Sequence, residues 1–325
     1  MKINPIWNKY PLIKPELEST MALMENNIQT DNKPVSKAIV SMMDSGGKLL
    51  RPAYLLLFSM FQKADRQKMI ALAAAVETLH MATLIHDDVV DQSPTRRGQS
   101  SIQAQFGQST AVYSGDYLFV VCFNLLADHA SDFKGIQQYG QWMGSILNGE
   151  MVQMAERYDT NISIDQYLKQ ISGKTGQLFS LSAFLGAYEG GGDAQFAQLA
   201  GKIGLNIGMS FQLMDDILDY TDSSSQLGKP VHSDVRQGVY SAPLILAMQQ
   251  QRDYFLPLLA KKNRMSDADT EQVVSGVMAF GGIQAAKAYV RQYTQTALKQ
   301  IDCLPDKPAK KILISLTKDL LDRQA

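Results

Sequence analysis

The sequence predicts an all-α fold, a single-domain helical bundle over residues 1–325, and three observations lead there. Prolines number 11, yet none falls between Pro94 and Pro230. Across that stretch Met, Leu, Ala, Gln and Ile recur at helical spacing, and the strict alternation of a half-buried strand is rare. No repeat, low-complexity tract or shift of composition marks a linker, so one large domain is expected.

Taken in order, the segment from Met1 to Glu18 mixes Lys2, Lys9 and Lys14 with Pro5, Pro11 and Pro15. It has no apolar core followed by a small-residue cleavage site, so we expect no signal peptide. Asp44-Ser45-Gly46-Gly47 marks a turn, and Pro52 suits the first turn of the helix after it. Leu72, Val76, Leu79 and Thr83 then keep an i, i+3, i+4 rhythm, with apolar residues on the other faces as well, as in a helix buried nearly all round. The window Met69 to His86 carries Glu77 and runs into three aspartates, which predicts a core helix and not a membrane span. Ser93-Pro94 closes it. The run Tyr117 to Leu126 reads locally like a strand, but its place in the proline-free region assigns it to a helix. Gly190-Gly191-Gly192 is the next break, and Asp193 is placed to cap the N-terminus of a new helix. Ile203, Ile207, Phe211 and Met214 mark a second buried helix, and Ser223-Ser224-Ser225 and Asp302 to Pro308 are later breaks.

Apolar residues make up 45% and charged residues 19% of the chain, a globular composition that excludes disorder. Lys and Arg total 31 against 32 acids, so no bulk field attracts nucleic acid, and phosphate must be held by local clusters. The two cysteines, Cys122 and Cys303, are too few for a disulfide framework and are expected to be buried, inert thiols of a cytoplasmic protein.

Chemistry concentrates in two clusters. Asp87-Asp88-Val89-Val90-Asp91 places Asp87 and Asp91 one turn apart, at the end of an apolar helix. Like charges there oppose each other and the helix dipole, a cost that a bound cation removes. Carboxylate pairs that leave room for phosphate oxygens are how Mg²⁺ is usually held. Asp215-Asp216-Ile217-Leu218-Asp219 repeats the spacing after a second buried helix, and a repeat is hard to attribute to surface charge. Cations flank both clusters. Gly46-Gly47-Lys48-Leu49-Leu50-Arg51-Pro52 puts an ammonium, a guanidinium and backbone N–H groups at a helix start. Arg96-Arg97, Lys174-Thr175 and Gly228-Lys229-Pro230 add further candidate phosphate contacts.

This ordered set (GGKxxRP, HxxxxxHDDxxD…RRG, GKTG, FQxxDDxxD and GKP) resembles the trans-isoprenyl diphosphate synthases, or polyprenyl synthetases, from about Gly46 to Pro243. The resemblance implies helices around a deep central cavity with the aspartate motifs facing each other. It also implies Mg²⁺-dependent joining of an allylic diphosphate to isopentenyl diphosphate. Residue by residue, it makes Asp87, Asp91 and Asp215 Mg²⁺ ligands, and Asp88, Asp216 and Asp219 ligands or their supports. Arg96 is similar to the group that grips the allylic diphosphate. Gly47, Lys48, Arg51, His80 and Arg97 match the isopentenyl diphosphate positions. Lys174, Thr175, Gln212 and Lys229 match those near the allylic diphosphate and the developing cation. His86 is expected to be a packed helix residue, and the released diphosphate can take the final proton, so no protein base is required.

Three positions depart from the family's pattern: Leu49 for a third basic residue, His232 for a glycine, and Val239 for a lysine. A terpene cyclase would use one substrate and would not need the Gly46 to Arg51 group, and a metal phosphohydrolase would need further His ligands. A homodimer is expected, with a catalytic subunit needing a small regulatory partner as the alternative. Chain length is expected to be set by Val76, Leu79, Ala82 and Thr83, on the helix before the first motif. Ala82 and Thr83 are small where short-chain members carry an aromatic, so a geranylgeranyl or longer product is expected. Phe119 or Phe123 is the alternative floor.

Overall fold

The computed structural model describes residues 3–221 and 233–321. Helices carry most of them, in the order α1 Lys14–Asn27, α2 Lys33–Asp44, α3 Leu50–Ser59, α4 Arg66–Val90, α5 Ile102–Phe106, α6 Gln108–His129, α7 Phe133–Ala155 and α8 Ile164–Ile171. Next come α9 Gln177–Glu189, α10 Ala194–Thr221, α11 Ser233–Arg236, α12 Ala242–Gln250, α13 Arg252–Leu259, α14 Asp267–Ala279, α15 Gly282–Asp302 and α16 Pro308–Leu321. Among the described residues the strands are β1 Thr95–Arg96 and β2 Gln99–Ser100, one antiparallel hairpin between α4 and α5. The Tyr117 to Leu126 run lies inside α6.

Two compact units are present. The first comprises Met1–Gln141, Leu178–Gly204 and Leu304–Leu313, and the second Trp142–Gln177, Leu205–Cys303 and Ile314–Ala325. Four of the boundaries fall inside continuous helices, α7, α9, α10 and α16, and the fifth lies between α15 and α16.

In the first unit α4 packs against α1, α3 and α6. Asp65 caps it by accepting from the backbone N–H groups of Gln67 at 2.9 Å and Lys68 at 3.3 Å, an arrangement worth about 1 kcal/mol. Leu72, Val76, Leu79 and Ile85 are all buried, each contributing roughly 1.5–3 kcal/mol relative to exposure. An ionic knot pins α9 to its neighbours. The Glu189 carboxylate accepts from Ser131 Oγ at 2.5 Å and from the Tyr139 hydroxyl, and pairs with Lys68 at 2.6 Å. Burial alone would raise the Glu189 pKa, but these partners pull it below the ordinary value.

In the second unit α12 packs on α14 and α15. A polar seam joins α10 to α15, with Ser210 Oγ 2.8 Å from Thr294 Oγ1 and Asn206 donating to Gln300 at 3.1 Å. The backbones of Gly149 in α7 and Gly173 approach so closely that a Cβ on Gly149 would lie 3.0 Å from the Gly173 carbonyl carbon. Only glycine at both positions permits that crossing.

One expectation about depth is corrected. Cys122 is buried, with burial pushing its thiol up to about 12, but Cys303 is exposed at the end of α15. Phe123 is 52% exposed on α6, whereas Phe119 lies against the His86 ring at 5.4 Å. By length and composition, α4 and α6 are the described helices apolar enough to cross a membrane; 78% of that window is buried in α4 and 44% in α6.

Candidate active site

The first group of candidate residues gathers at the start of α3, the second half of α4 and the hairpin. Leu49, at φ 51°, turns the chain into α3, and the Trp7 indole N–H holds the Lys48 carbonyl at 2.9 Å. Arg51, in the first turn, stacks 4.8 Å over the Phe179 ring. A guanidinium only donates, so the 3.1 Å contact between Arg51 and His80 Nε2 makes that nitrogen the acceptor. The imidazole proton is thereby assigned to Nδ1. Burial first, then Arg51, Arg97 and Arg96, hold the His80 pKa well below its ordinary value, so the ring is neutral at pH 7.

The hairpin separates the two arginines. Arg97 and Gly98 form its two-residue loop, with φ 51° and 76°, the positive values of a type I′ turn. Arg96 folds back on Asp88, its Nε donating to Oδ1 at 2.8 Å, with a second, shorter contact from Nη2. Arg97 goes the other way, so that a Cβ on Gly47 would lie 2.8 Å from its Nη1. Gly47, Glu77, His80 and Arg97 share the wall of a small cavity of about 10 Å³ with Met42, Met43 and Met81.

The second unit holds the other group. Lys174 and Thr175 sit in a π-helical turn, Ser172–Gly176, between α8 and α9, an irregularity that is frequent at functional sites. Lys174 Nζ donates to Glu150 Oε2 at 2.8 Å and Gln153 Oε1 at 3.1 Å on α7. The Thr175 hydroxyl donates to Gln212 Oε1 at 2.8 Å, and Gln212 Nε2 donates to Asp216 Oδ1 at 3.0 Å. The hydroxyl of Tyr167, on α8, binds the other Asp216 oxygen. Burial, then the charges of Asp219 and Asp234, push the Asp216 pKa well up, against the Ala242 backbone N–H that pulls it down.

The two motifs therefore sort their aspartates in the same way. Asp88 and Asp216 are buried, at 2% and 7% exposure, and held by protein partners. Asp87, Asp91, Asp215 and Asp219 keep partial exposure. Among the described residues no three His, Cys, Asp or Glu side chains close into a metal cage. Partly exposed carboxylate pairs suit a hard cation that keeps several of its waters.

Of the four residues expected to govern chain length, Val76, Leu79 and Ala82 are fully enclosed, and Thr83 keeps partial exposure while donating to the His80 carbonyl at 2.8 Å. Lys229, with Gly228, Pro230 and His232, lies outside the described residues. His86 Nε2 lies 3.2 Å from the Val112 carbonyl and 3.3 Å from Asp116. Sequence reasoning missed Glu77 and Tyr167 as parts of the site. Glu77 had a signal, as the lone acid of an apolar run one turn before His80. Tyr167 had none.

Residues 32–277 match the family described as Polyprenyl synthetase. Heptaprenyl diphosphate synthase component 2 of Geobacillus stearothermophilus is 31% identical over 94% of this chain and 95% of its own. The crystal structure of geranylgeranyl pyrophosphate synthase from Lactobacillus brevis ATCC 367 superposes with a TM-score of 0.93, at 41% identity over 98% of this chain and 99% of that one. That of polyprenyl synthase from Caulobacter crescentus CB15, complexed with calcium and isoprenyl diphosphate, gives 0.92 at 28% identity over the whole of both chains.

Proposed function

We propose a reaction from one premise, that this chain belongs to the polyprenyl synthetase family and is a chain-elongating trans-prenyltransferase. It condenses isopentenyl diphosphate with an allylic diphosphate, releasing diphosphate, to give an all-trans product of geranylgeranyl length or longer. The observation that carries the reading is the sorting of the aspartates by depth, with the middle carboxylate of each motif buried and the outer two keeping the partial exposure that a hydrated cation needs. Asp87 and Asp91, and likewise Asp215 and Asp219, hold Mg²⁺, which when bound neutralises the charge of the leaving diphosphate.

The chain's own groups supply the rest. Lys48, Arg51, Arg97 and the Nδ1–H of neutral His80 hold isopentenyl diphosphate by charge-assisted hydrogen bonds. Gly47 leaves room for Arg97 beside them. Arg96 serves the allylic diphosphate while tethered to Asp88, and Lys174 and Lys229 contribute charge there. The Gln212 carbonyl and the Thr175 backbone offer dipoles that stabilise a carbocation without attacking it. Apolar walls keep water from that cation, and the released diphosphate takes the final proton.

The long product rests on Thr83 and Ala82, since a small side chain at each leaves the path of the growing chain open. Residues 1–325 act as one domain. The protein works in the cytoplasm as a homodimer, with the outer face of α6 (Tyr113, Val120 and Phe123 all more than half exposed) as the self-pairing surface. The name of the Geobacillus relative, a component 2, favours one second reading, a catalytic subunit that needs a small partner. The test is isopentenyl incorporation by purified chain with farnesyl diphosphate, with Mg²⁺ and with EDTA. Incorporation that EDTA abolishes supports the reading. No incorporation with any allylic primer, with or without a small subunit supplied from a related two-component enzyme, overturns it.

A further inference from the structure

One carboxylate near the first group is unused by this mechanism. Glu77 is 6% exposed on α4, and it is the only acid between Met69 and His86. Its charge neighbours are Arg51, from the start of α3, and Arg97, from the hairpin loop. Glu77 and Arg97 share one cavity wall with Gly47 and His80, which lies one turn further along α4 and contacts Arg51. Burying an acid is unfavourable unless its charge is compensated, and crowding arginines without a counter-charge is unfavourable too. Each problem is the other's solution.

The geometry points to Glu77 as a positioning residue of the isopentenyl diphosphate subsite, its buried carboxylate serving as the counter-charge that keeps the Arg51 and Arg97 guanidiniums gathered beside the cavity. It acts from behind them and does not touch substrate. This rests on the function proposed above and adds a residue to it. Burial raises the Glu77 pKa, and Arg51 and Arg97 oppose the rise, which fits a carboxylate that needs those two partners.

Two opposed effects give the test its sign. If Glu77 were a bystander charge, Glu77→Gln would remove a nearby negative charge and tighten anion binding. If it positions the arginines, the same change loosens binding, by roughly tenfold for the loss of a counter-charge beside them. Steady-state kinetics on Glu77→Gln should show the isopentenyl diphosphate KM raised about tenfold or more, with the allylic KM and kcat within about twofold. Glu77→Asp should recover most of the loss. In an Arg97→Ala background, Glu77→Gln should cost clearly less than in the wild type, because residues acting through each other are not additive. Calorimetric titration with inorganic diphosphate in EDTA supplies a readout independent of turnover, and should show the same loosening. Tighter or unchanged binding, a fall in kcat with an unchanged KM, or full additivity with Arg97→Ala overturns the assignment. If Glu77→Gln does not fold, Glu77→Asp must still raise the isopentenyl KM selectively, and an unchanged KM overturns the proposal. Wild-type enzyme that turns over but shows no Glu77 effect sinks this inference alone. Wild-type chain that neither turns over nor binds diphosphate sinks the proposed function with it.

Discussion

Replacing Tyr167 by Phe removes a single oxygen from a 3%-exposed side chain, and with it the hydroxyl contact to the buried Asp216 carboxyl. Leaving a buried polar group short of one partner costs about 1–3 kcal/mol. With roughly 2.1 cal/mol/K of unfolding entropy per residue, a chain of this length has about 0.7 kcal/mol/K at its midpoint, so a loss of ~2 kcal/mol lowers Tm by about 3 °C. The same change frees one side of Asp216, whose other oxygen accepts from Gln212 at 3.0 Å, while Gln212 is held in turn by Thr175 at 2.8 Å. Asp216 stands beside Asp215, proposed above to hold Mg²⁺, and loosening a group that supports a metal site typically costs about 10–100-fold in metal affinity or activity. Differential scanning calorimetry of Tyr167→Phe, with kcat and the Mg²⁺ concentration for half-activation measured on the same preparation, tests both consequences. Wild-type Tm and wild-type kcat together would refute the chain of contacts from Tyr167 to Gln212. A lowered Tm with unchanged kcat and Mg²⁺ dependence would confine Tyr167 to stability.

Three further outcomes are expected. Asp87→Asn should lower turnover by several orders of magnitude, and Asp88→Asn, which breaks the Arg96 pair at a buried carboxylate, should lower Tm; kcat and Tm measured on both variants check it, and wild-type turnover in the first with wild-type Tm in the second would show that the outer and inner carboxylates have been exchanged. His80 is neutral when folded but protonates near 6.5 when unfolded, so stability from this group is intact above that pH and falls below it, by at most about 1.4 kcal/mol per pH unit; urea titrations from pH 5 to 7 should show the slope flattened in His80→Gln, and an equal slope in both proteins contradicts the assignment. Thr83→Phe should shorten the product with little change in Tm, while Ala82→Phe should shorten it at a cost of about 1–3 kcal/mol because that position is fully enclosed; chain-length analysis giving the wild-type product from both variants would place the floor elsewhere.

The helices were legible because their signal is local. Proline spacing and the 3.6-residue rhythm survive in any window, and even Tyr117 to Leu126 resolves once its neighbourhood is considered. The D-D-x-x-D spacing was equally plain. Which aspartates turn inward was not, because that depends on Arg96 arriving from a hairpin and Tyr167 from α8, contacts distant along the chain. The π-helical turn at Ser172–Gly176 left no trace in residue pattern, because the 3.6-residue rhythm runs through it unbroken on either side. Cys303 was misjudged for a related reason: an apolar residue type at a helix end carries no information about depth.

The Arg97-Gly98 loop has a consequence for anyone who selects this protein for heat resistance. A type I′ turn favours Asn or Gly where Arg97 stands, and an arginine held at φ 51° carries on the order of 1 kcal/mol of backbone strain. A screen that rewards melting temperature alone will therefore favour Arg97→Asn or Arg97→Gly, and with either it discards a guanidinium proposed above to hold isopentenyl diphosphate. The same substitution that scores as an improvement on a thermal ramp will score as a loss in an assay at low isopentenyl diphosphate. A stabilised library of this enzyme should hold position 97 fixed, or be sorted on turnover first.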